Sequence, residues 1–600
     1  MEYLLTAEEM ALADRRTSER IGIPSVALME RAALAVADAI REDFPRMREE
    51  RAASSLADYD SRDQDGRNAA PKGKDQVRVA VIAGKGNNGA DAIAAGRILL
   101  DFGYDVAFFV TGITDDFETP QGKEHPDAAA SQDPETSSAK GRGPDKEKIG
   151  ARSSMEIQCR ILKAYGKSLQ PLREDGCLLG QFCPDVIIDG LFGTGLSRRV
   201  TGEAEDAIGV IRKLRSLGAR VYAVDIPSGV SASTGEILGT AVQADVTVTF
   251  SFYKRGHFLY PGCEFCGRVL RREIGITERA FAEGTLESTA GNEKGPSADF
   301  LPKVFTYLQE DPRSLLPKRK PDGNKGTFGK VLVIAGSRGV SGACTMCAGA
   351  ALRMGAGMVR VFTHEDNRVI LQTALPEAMC STYPSAQEEA LGEAEKKVVQ
   401  EDLLSGLQWA DVAAIGPGMG KSKECRELLK FVLRHAAENL RGLVVDADAI
   451  RLLAEGDGLY EELRETGRKI PVILTPHPAE CAALFQRSIP ELQKNRFAWV
   501  SAFAEEFSCT VIAKDARTLV SSAGCRMQYL NISGNDGLAT AGAGDVLTGM
   551  TAACLASGME AFSAAAAAVY IHGRLADSLA EKESPRSIVA TDLIRKLKTM

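Results

Sequence analysis

The chain has 600 residues, of which 44% are hydrophobic and 26% charged, and a formal net charge of −8. That length exceeds what one hydrophobic core supports, so several domains are expected, with a composition ordinary for globular protein. There is no basic stripe and no apolar run long enough to span a bilayer, which argues against nucleic-acid and membrane partners.

The first residues, MEYLLTAEEMALADRR, are acidic and amphipathic and lack a basic leader, so a cytoplasmic setting is expected. A helical run is predicted over Ala7–Ile40 from apolar residues at helical spacing. Residues 45–76 are charged and small, and such a segment cannot bury enough apolar surface to offset its ordering. They are read as an insertion in a surface loop. An all-apolar strand, Val77–Ala83, then runs into GKGNNGAD and a helix, and a second strand is predicted at Asp105–Val110. Residues 112–154, rich in Asp, Pro, Ser, Gly and Lys, are read as a second insertion. Strands at Asp185–Asp189, Val221–Asp225 and Asp245–Phe250 complete the first pattern. Continuous apolar strands alternating with helices predict a parallel α/β sheet covered on both faces.

Residues 279–312 are polar again and are read as the domain linker. The pattern restarts at Gly329–Gly336 and continues with strands at Asp411–Ile415, Leu443–Asp446, Val472–Thr475 and Thr510–Lys514. Both halves place Gly-rich loops at the C-terminal ends of parallel strands, where open α/β sheets bind ligands. Of the 13 cysteines, Cys263/Cys266 and Cys344/Cys347 form CxxC pairs. Without paired knuckles they are expected to be reduced and structural.

In the first half, Gly84–Gly89 (GKGNNG) matches G-x-G-x-x-G between a strand and a helix, which suits a phosphate-bearing ligand. The dinucleotide fingerprint also wants an acid at the end of the second strand, and Val110-Thr111-Gly112 supplies none. The amides of Asn87 and Asn88 add carbonyl oxygens that suit a hard cation or a polar ring. Asp189 and Asp225 each close a strand, where a carboxylate either caps a turn or faces the ligand crevice. Beside the Asn pair, one can serve as a cation ligand and one as general acid/base.

The stretches LTAEEMALADRRTSERIGIPSVALMERAA, GKGNNGAD, DGLFGTGL and DIPSGVSASTGE together resemble the NAD(P)H-hydrate epimerase domain, placed here at residues 1–278. The resemblance implies a Rossmann-like three-layer fold that interconverts the R and S forms of hydrated NAD(P)H. It implies contacts to the hydrated dinucleotide from Asn87, Asn88, Gly89, Ala90 and Asp91, from Gly193, Thr194, Gly195, Leu196, Ser197, Arg198 and Arg199, and from Asp225. It also implies a potassium ion held by Asn88, Asp189 and Ser228, with Asp225 handling the proton. Ala90 stands where the family usually has glycine.

In the second half, the consecutive N–H groups of Gly542-Ala543-Gly544-Asp545 would form an anion hole at a helix N-terminus. A carboxylate beside phosphate is a poor phosphate ligand, but it can take a proton from a substrate hydroxyl. The plainer reading, a helix cap, is outweighed by the flanking Asn535–Thr540 and Val546–Gly549. Lys325–Gly329, Gly336–Gly339, Gly416–Gly420 and Thr475–Glu480, with His477 between two prolines, lie near other strand ends. Lys514–Thr518 could hold nucleotide phosphate, or Lys514 could lie over the sheet edge.

Together these pieces resemble the ADP- or ATP-dependent NAD(P)H-hydrate dehydratases, over residues 313–600. The resemblance implies a ribokinase-like three-layer domain with substrate contacts at Ala343, Gly418, His477 and Asp545. Nucleotide contacts are implied at Lys514, Asp515, Ala516, Arg517, Thr518 and Gly544, with ADP as co-substrate and magnesium offsetting its charge. Asp515 stands where the family more often has glycine.

The whole chain is thus expected to be a homo-oligomeric, bifunctional enzyme acting on hydrated NADH and NADPH. The competing expectation is a ribokinase-like small-molecule kinase fused to a non-catalytic nucleotide-sensing Rossmann-like module.

Overall fold

The computed structural model describes residues 1–60, 76–111, 153–172, 182–281, 302–384 and 393–599. It divides into two compact units, Leu5–Leu301 and Pro302–Met600, the latter joined by Met1–Leu4.

The first unit is built on a parallel seven-stranded sheet. Its spatial order is Gln170–Pro171, Asp105–Val110, Arg78–Ala83, Val186–Gly190, Arg220–Val224, Val246–Phe250, Arg268–Arg272. The five predicted strands are all present. Arg268–Arg272 (RVLRR) was not foreseen, because its charged residues do not read as a buried run. The chain leaves Arg78–Ala83 toward one edge and resumes at Val186–Gly190 on the other side. This creates a switch point where the two following loops diverge and a ligand crevice opens. The Asn87–Asp101 helix lies close on the sheet at Gly96, where a Cβ would meet Val81 at 2.5 Å and Phe108 at 2.6 Å.

The helical run expected over Ala7–Ile40 is present but interrupted. Ala7–Arg16 passes through a π-helical turn, Thr17–Ile21, to Gly22 at φ +87, and a new helix, Ser25–Asp60, starts after Pro24. That second helix also corrects the reading of residues 45–76 as a loop insertion, since it continues to Asp60. The segment carries several Arg, Glu and Ala residues, which are good helix formers even where they cannot build a core. The remainder, 61–75, and nearly all of the second insertion, 112–152, lie outside the described residues.

The second unit's sheet runs, in spatial order, Met379–Tyr383, Met358–His364, Lys330–Ile334, Val412–Ile415, Gly442–Val445, Val472–Leu474, Thr510–Ala513, Leu519–Ser522, Gln528–Leu530, Val304–Thr306, Glu2–Leu5. It is parallel as far as Thr510–Ala513. Leu519–Ser522 then pairs antiparallel on both sides. Val304–Thr306 pairs parallel with Gln528–Leu530 and antiparallel with Glu2 and Tyr3. The linker expected over 279–312 therefore carries a fully buried strand, a short apolar run too brief to register against its polar surroundings. Residues 282–301 of it lie outside the described residues.

A second switch point falls between Lys330–Ile334 and Val412–Ile415, and Gly336 N–H donates to Pro417 O across it at 2.8 Å. The helices Ser341–Met354 and Ala543–Ala556 pack so closely that a Cβ on Gly549 would lie 2.0 Å from Cys347 O. The described cysteines, both CxxC pairs included, are free thiols. Among the described residues no helix is long and apolar enough to cross a membrane.

Candidate functional site

A cavity of about 890 Å³ opens at the first unit's switch point. Its walls include the Gly84–Asn88 loop, Asp91, Gly193–Arg198 and Asp225, with Met10 and Asp14 from the first helix. Gly86 is the N-cap of the Asn87–Asp101 helix and makes no side-chain cap bond, so the leading N–H groups stay available to an anion.

Beneath this wall Asp189 is fully buried. It accepts hydrogen bonds from Ser228 N–H at 2.9 Å, Ser228 Oγ–H at 2.6 Å and Leu191 N–H at 3.3 Å. Burial pushes its carboxyl up to about 6, against those hydrogen bonds. Phe192 N–H donates to Ser228 Oγ at 2.9 Å, and Asn88 Nδ2 donates to Phe192 O at 2.9 Å. Asn88, Asp189 and Ser228 are thus drawn together around one backbone carbonyl. All their candidate ligand atoms are oxygen and only one is a carboxylate, which suits a hard ion of low charge. Among the described residues there is no group of three or more His, Cys, Asp or Glu that could hold a metal.

Asp225 has a left-handed backbone, φ +64. Its Oδ1 accepts from Thr249 Oγ1–H at 3.0 Å and Phe250 N–H at 3.2 Å, and it pairs with the Lys254 ammonium. Asp91 and Asp14 lie on the same cavity. Burial, then Asp225, raises both carboxyls, Asp91 well above the usual range.

In the second unit, Gly542 at φ +88 is the N-cap of Ala543–Ala556, again without a side-chain cap; Ala543 N–H donates to Thr540 O at 3.3 Å, and the Gly544 and Asp545 N–H groups that follow can form an anion hole. Asp545 sits in that turn. Burial first, then the neighbouring Asp446, pushes its carboxyl up to about 7, with Lys514 pulling the other way. Lys514 Nζ donates to Asp446 Oδ1 at 2.8 Å and lies 3.4 Å from where a Cβ on Gly544 would be. The ammonium therefore stands over the anion hole rather than along the sheet edge. Thr548 Oγ1–H donates to Asp446 Oδ2 at 2.6 Å. Burial opposes the charge on Asp446, but Lys514, Thr475 and Thr548 more than offset it and hold the carboxyl below its usual range.

The NAD(P)H-hydrate dehydratase family model matches residues 331–599, and the YjeF-related protein N-terminus model matches residues 25–256. The bifunctional NAD(P)H-hydrate repair enzyme of Moorella thermoacetica is 31% identical over 595 residues, covering 99% of this chain and 95% of that enzyme. The chain belongs to the bifunctional NAD(P)H-hydrate repair enzymes. The Coxiella burnetii member of that name is 32% identical over 522 residues, 87% of this chain and 90% of its own. A solved ADP/ATP-dependent NAD(P)H-hydrate dehydratase from Bacillus subtilis, co-crystallized with ATP and Mg2+, matches 48% of this chain and 94% of its own at 26% identity, with a TM-score of 0.39.

Against the expectations for such a repair enzyme, the cavity gathers Asn87, Asn88, Asp91, Gly193, Thr194, Gly195, Leu196, Ser197, Arg198 and Asp225. Three residues fall away from its wall. Gly89 packs on Gly84, where a Cβ would lie 2.0 Å from the carbonyl oxygen, and Ala90 is wholly buried in the helix's first turn. Arg199 turns its stem toward Gly239.

In the second unit Gly418 and Ala343 touch, since a Cβ on Gly418 would lie 2.8 Å from that of Ala343. His477 has a structural duty as well. It caps the Pro478–Leu484 helix, with Nδ1 accepting from Ala479 and Glu480 N–H and Nε2 against Glu480 Oε1 at 3.1 Å. Both ring nitrogens are engaged inside the turn, so a ligand meets the ring by its face. Asp515, the apparent misfit beside phosphate, is neutralised by Arg496 at 3.2 Å and closes a turn with Ala516 and Thr518. Arg517 lies in the same turn, and its carbonyl accepts from Arg496 Nη2–H.

Sequence reasoning missed Asp14, Lys254, His257, Asp446 and Arg496. Asp446 carried the same signal as Asp189 and Asp225, an acid closing an apolar strand. The other four had no local signature.

Proposed function

We propose that this chain repairs hydrated NAD(P)H. The first unit interconverts the R and S forms, and the second removes water from the S form at the expense of ADP, giving AMP and phosphate. The observation that carries the reading is Asp545: a carboxylate raised toward neutrality, beside an uncapped helix N-terminus and under the Lys514 ammonium.

Hydroxide leaves a ring carbon poorly. Asp545 takes the proton of the ring hydroxyl, whose oxygen then attacks the terminal phosphoryl group held at the anion hole. AMP departs, the new ring phosphate leaves with help from the ring nitrogen's lone pair, and loss of the adjacent carbon's proton restores the reduced ring. Magnesium carried in on the nucleotide phosphates would offset their charge. Lys514–Thr518 and Gly544 bound the phosphate end of the nucleotide. In the first unit Asn88, Asp189 and Ser228 would hold potassium as a structural charge under the loops, and Asp225 moves the proton.

One assay tests the scheme: a mixture of R and S hydrated NADH with ADP or ATP, with and without potassium, followed by recovery of NADH absorbance. Complete recovery supports both activities. Recovery of only the S fraction removes the epimerase reading. AMP with a stable phosphorylated product and no NADH would make the second unit a kinase.

A further inference from the structure

Asp225 occupies a backbone conformation that L side chains rarely adopt, φ +64, and one short turn holds it there. Lys254 is fully buried, pairs with Asp225 Oδ1, and donates to Thr249 Oγ1 at 2.9 Å. Three residues on, His257 Nδ1 accepts from Lys254 N–H at 3.1 Å. That leaves Nε2 as the protonated nitrogen, and it donates to Asp225 O at 2.9 Å. Burial and the neighbouring Lys254 take this imidazole down to about 4, so it stays neutral.

Among the described residues the donors to the carboxylate, Thr249, Phe250 and Lys254, go to Oδ1. Oδ2 is left to the cavity, which Asp14 enters from the Ala7–Arg16 helix and Asp91 from the Asn87–Asp101 helix. With three carboxylates on one cavity, a single cation bonded to one oxygen of one of them distinguishes that acid from the other two.

We propose that Lys254 and His257 are positioning residues for proton transfer by Asp225: the ammonium fixes the carboxylate through Oδ1, and the imidazole fixes its strained backbone, so that Oδ2 meets the substrate. The inference rests on the reading of Asp225 as the epimerase's proton-handling group. Oδ2 takes the proton of one epimer's hydroxyl as the ring C–N bond at that carbon opens to an aldehyde; the freed nitrogen closes on the carbonyl's other face, and Oδ2 returns the proton to the new hydroxyl, so Asp225 ends the cycle as it began.

The test uses the full chain and measures kcat and KM for epimerisation in Lys254→Ala, Lys254→Met and His257→Gln, with Asp225→Ala as reference. Dehydration of pure S form in the same samples counts active molecules. Lys254→Ala is expected to lose about 100-fold in kcat, with KM changed by no more than about threefold, because proton transfer rather than binding is impaired. Ethylammonium, which can enter the vacated space and donate to Oδ1, should restore kcat saturably, whereas tetramethylammonium, with no N–H, should not.

His257→Gln should lower kcat without amine rescue. A folded Lys254→Ala with wild-type kcat, or one whose lost kcat no amine restores, overturns the proposal. If that variant does not fold, Lys254→Met keeps the stem's volume and decides by itself: near-normal kcat overturns the proposal, and loss at unchanged KM supports it. If Asp225→Ala epimerises normally, the underlying reading fails instead.

Discussion

Asp545 offers the sharpest check on the dehydratase chemistry, because its environment makes a prediction about pH. Burial, with Asp446 next in importance, raises its carboxyl to about 7. A base works in its ionised form, so kcat/KM for dehydration of the S form should climb as pH rises through that value. At about pH 6 roughly one molecule in eleven carries the ionised form, and at about pH 8 roughly ten in eleven, so the rise is about tenfold. Asp545→Asn has no such ionisation. Its rate should fall about 10²- to 10⁴-fold and lose the pH dependence.

The same shift has a second readout. A carboxyl whose folded value lies above its unfolded one contributes stability that is complete at low pH and lost as pH rises toward about 7. The wild type should therefore melt at a lower temperature at about pH 8 than at about pH 6, and Asp545→Asn should lose much of that difference. Steady-state rates with saturating ADP and pure S form, together with thermal melts at the two pH values, measure both effects. A variant that dehydrates at a near-normal rate, or that keeps the wild-type pH limb, refutes the base role.

Asp225→Ala should abolish epimerisation while leaving dehydration of the S form intact, read by supplying each epimer separately. Loss of both activities would show that the halves do not work separately. Asp446→Ala removes the partner of Lys514 and the acceptor of Thr548. It should destabilise the second unit by up to about 3 kcal/mol in denaturant melts, because an ammonium is left largely out of water without its counter-charge. Gly549→Ala forces a Cβ to within 2.0 Å of Cys347 O and should lower stability by about 1–3 kcal/mol or more, since two helix backbones must separate. A variant as stable as wild type would mean that the contact relaxes freely.

The strands and the Gly-rich loops were legible in the sequence because each is a property of consecutive residues. An apolar run such as Val79–Ile82 must be buried, and GKGNNG or GAGD must turn sharply into a helix whose N-terminus lacks a side-chain cap. Those local facts, with acids closing the strands, pointed to both crevices and to part of the residues around them. They did not reveal who holds whom. Lys254 reaches Asp225 across 29 positions, Lys514 reaches Asp446 across 68, and Glu2 and Tyr3 pair with Thr306 and Phe305 across 304 and 302.

Such partnerships depend on strand order and on which neighbour a turn delivers to a strand end, and neither is written in spacing. The same reason makes His477 a helix cap as well as a candidate ligand contact, and leaves Gly89, Ala90 and Arg199 off the cavity wall. The local sequence pointed to two crevices at strand ends and to Asp189, Asp225 and Asp545 there, but not to Asp14 or Asp446. Only the tertiary structure decided which acid is paired to a cation, which is raised toward neutrality, and therefore which can move a proton.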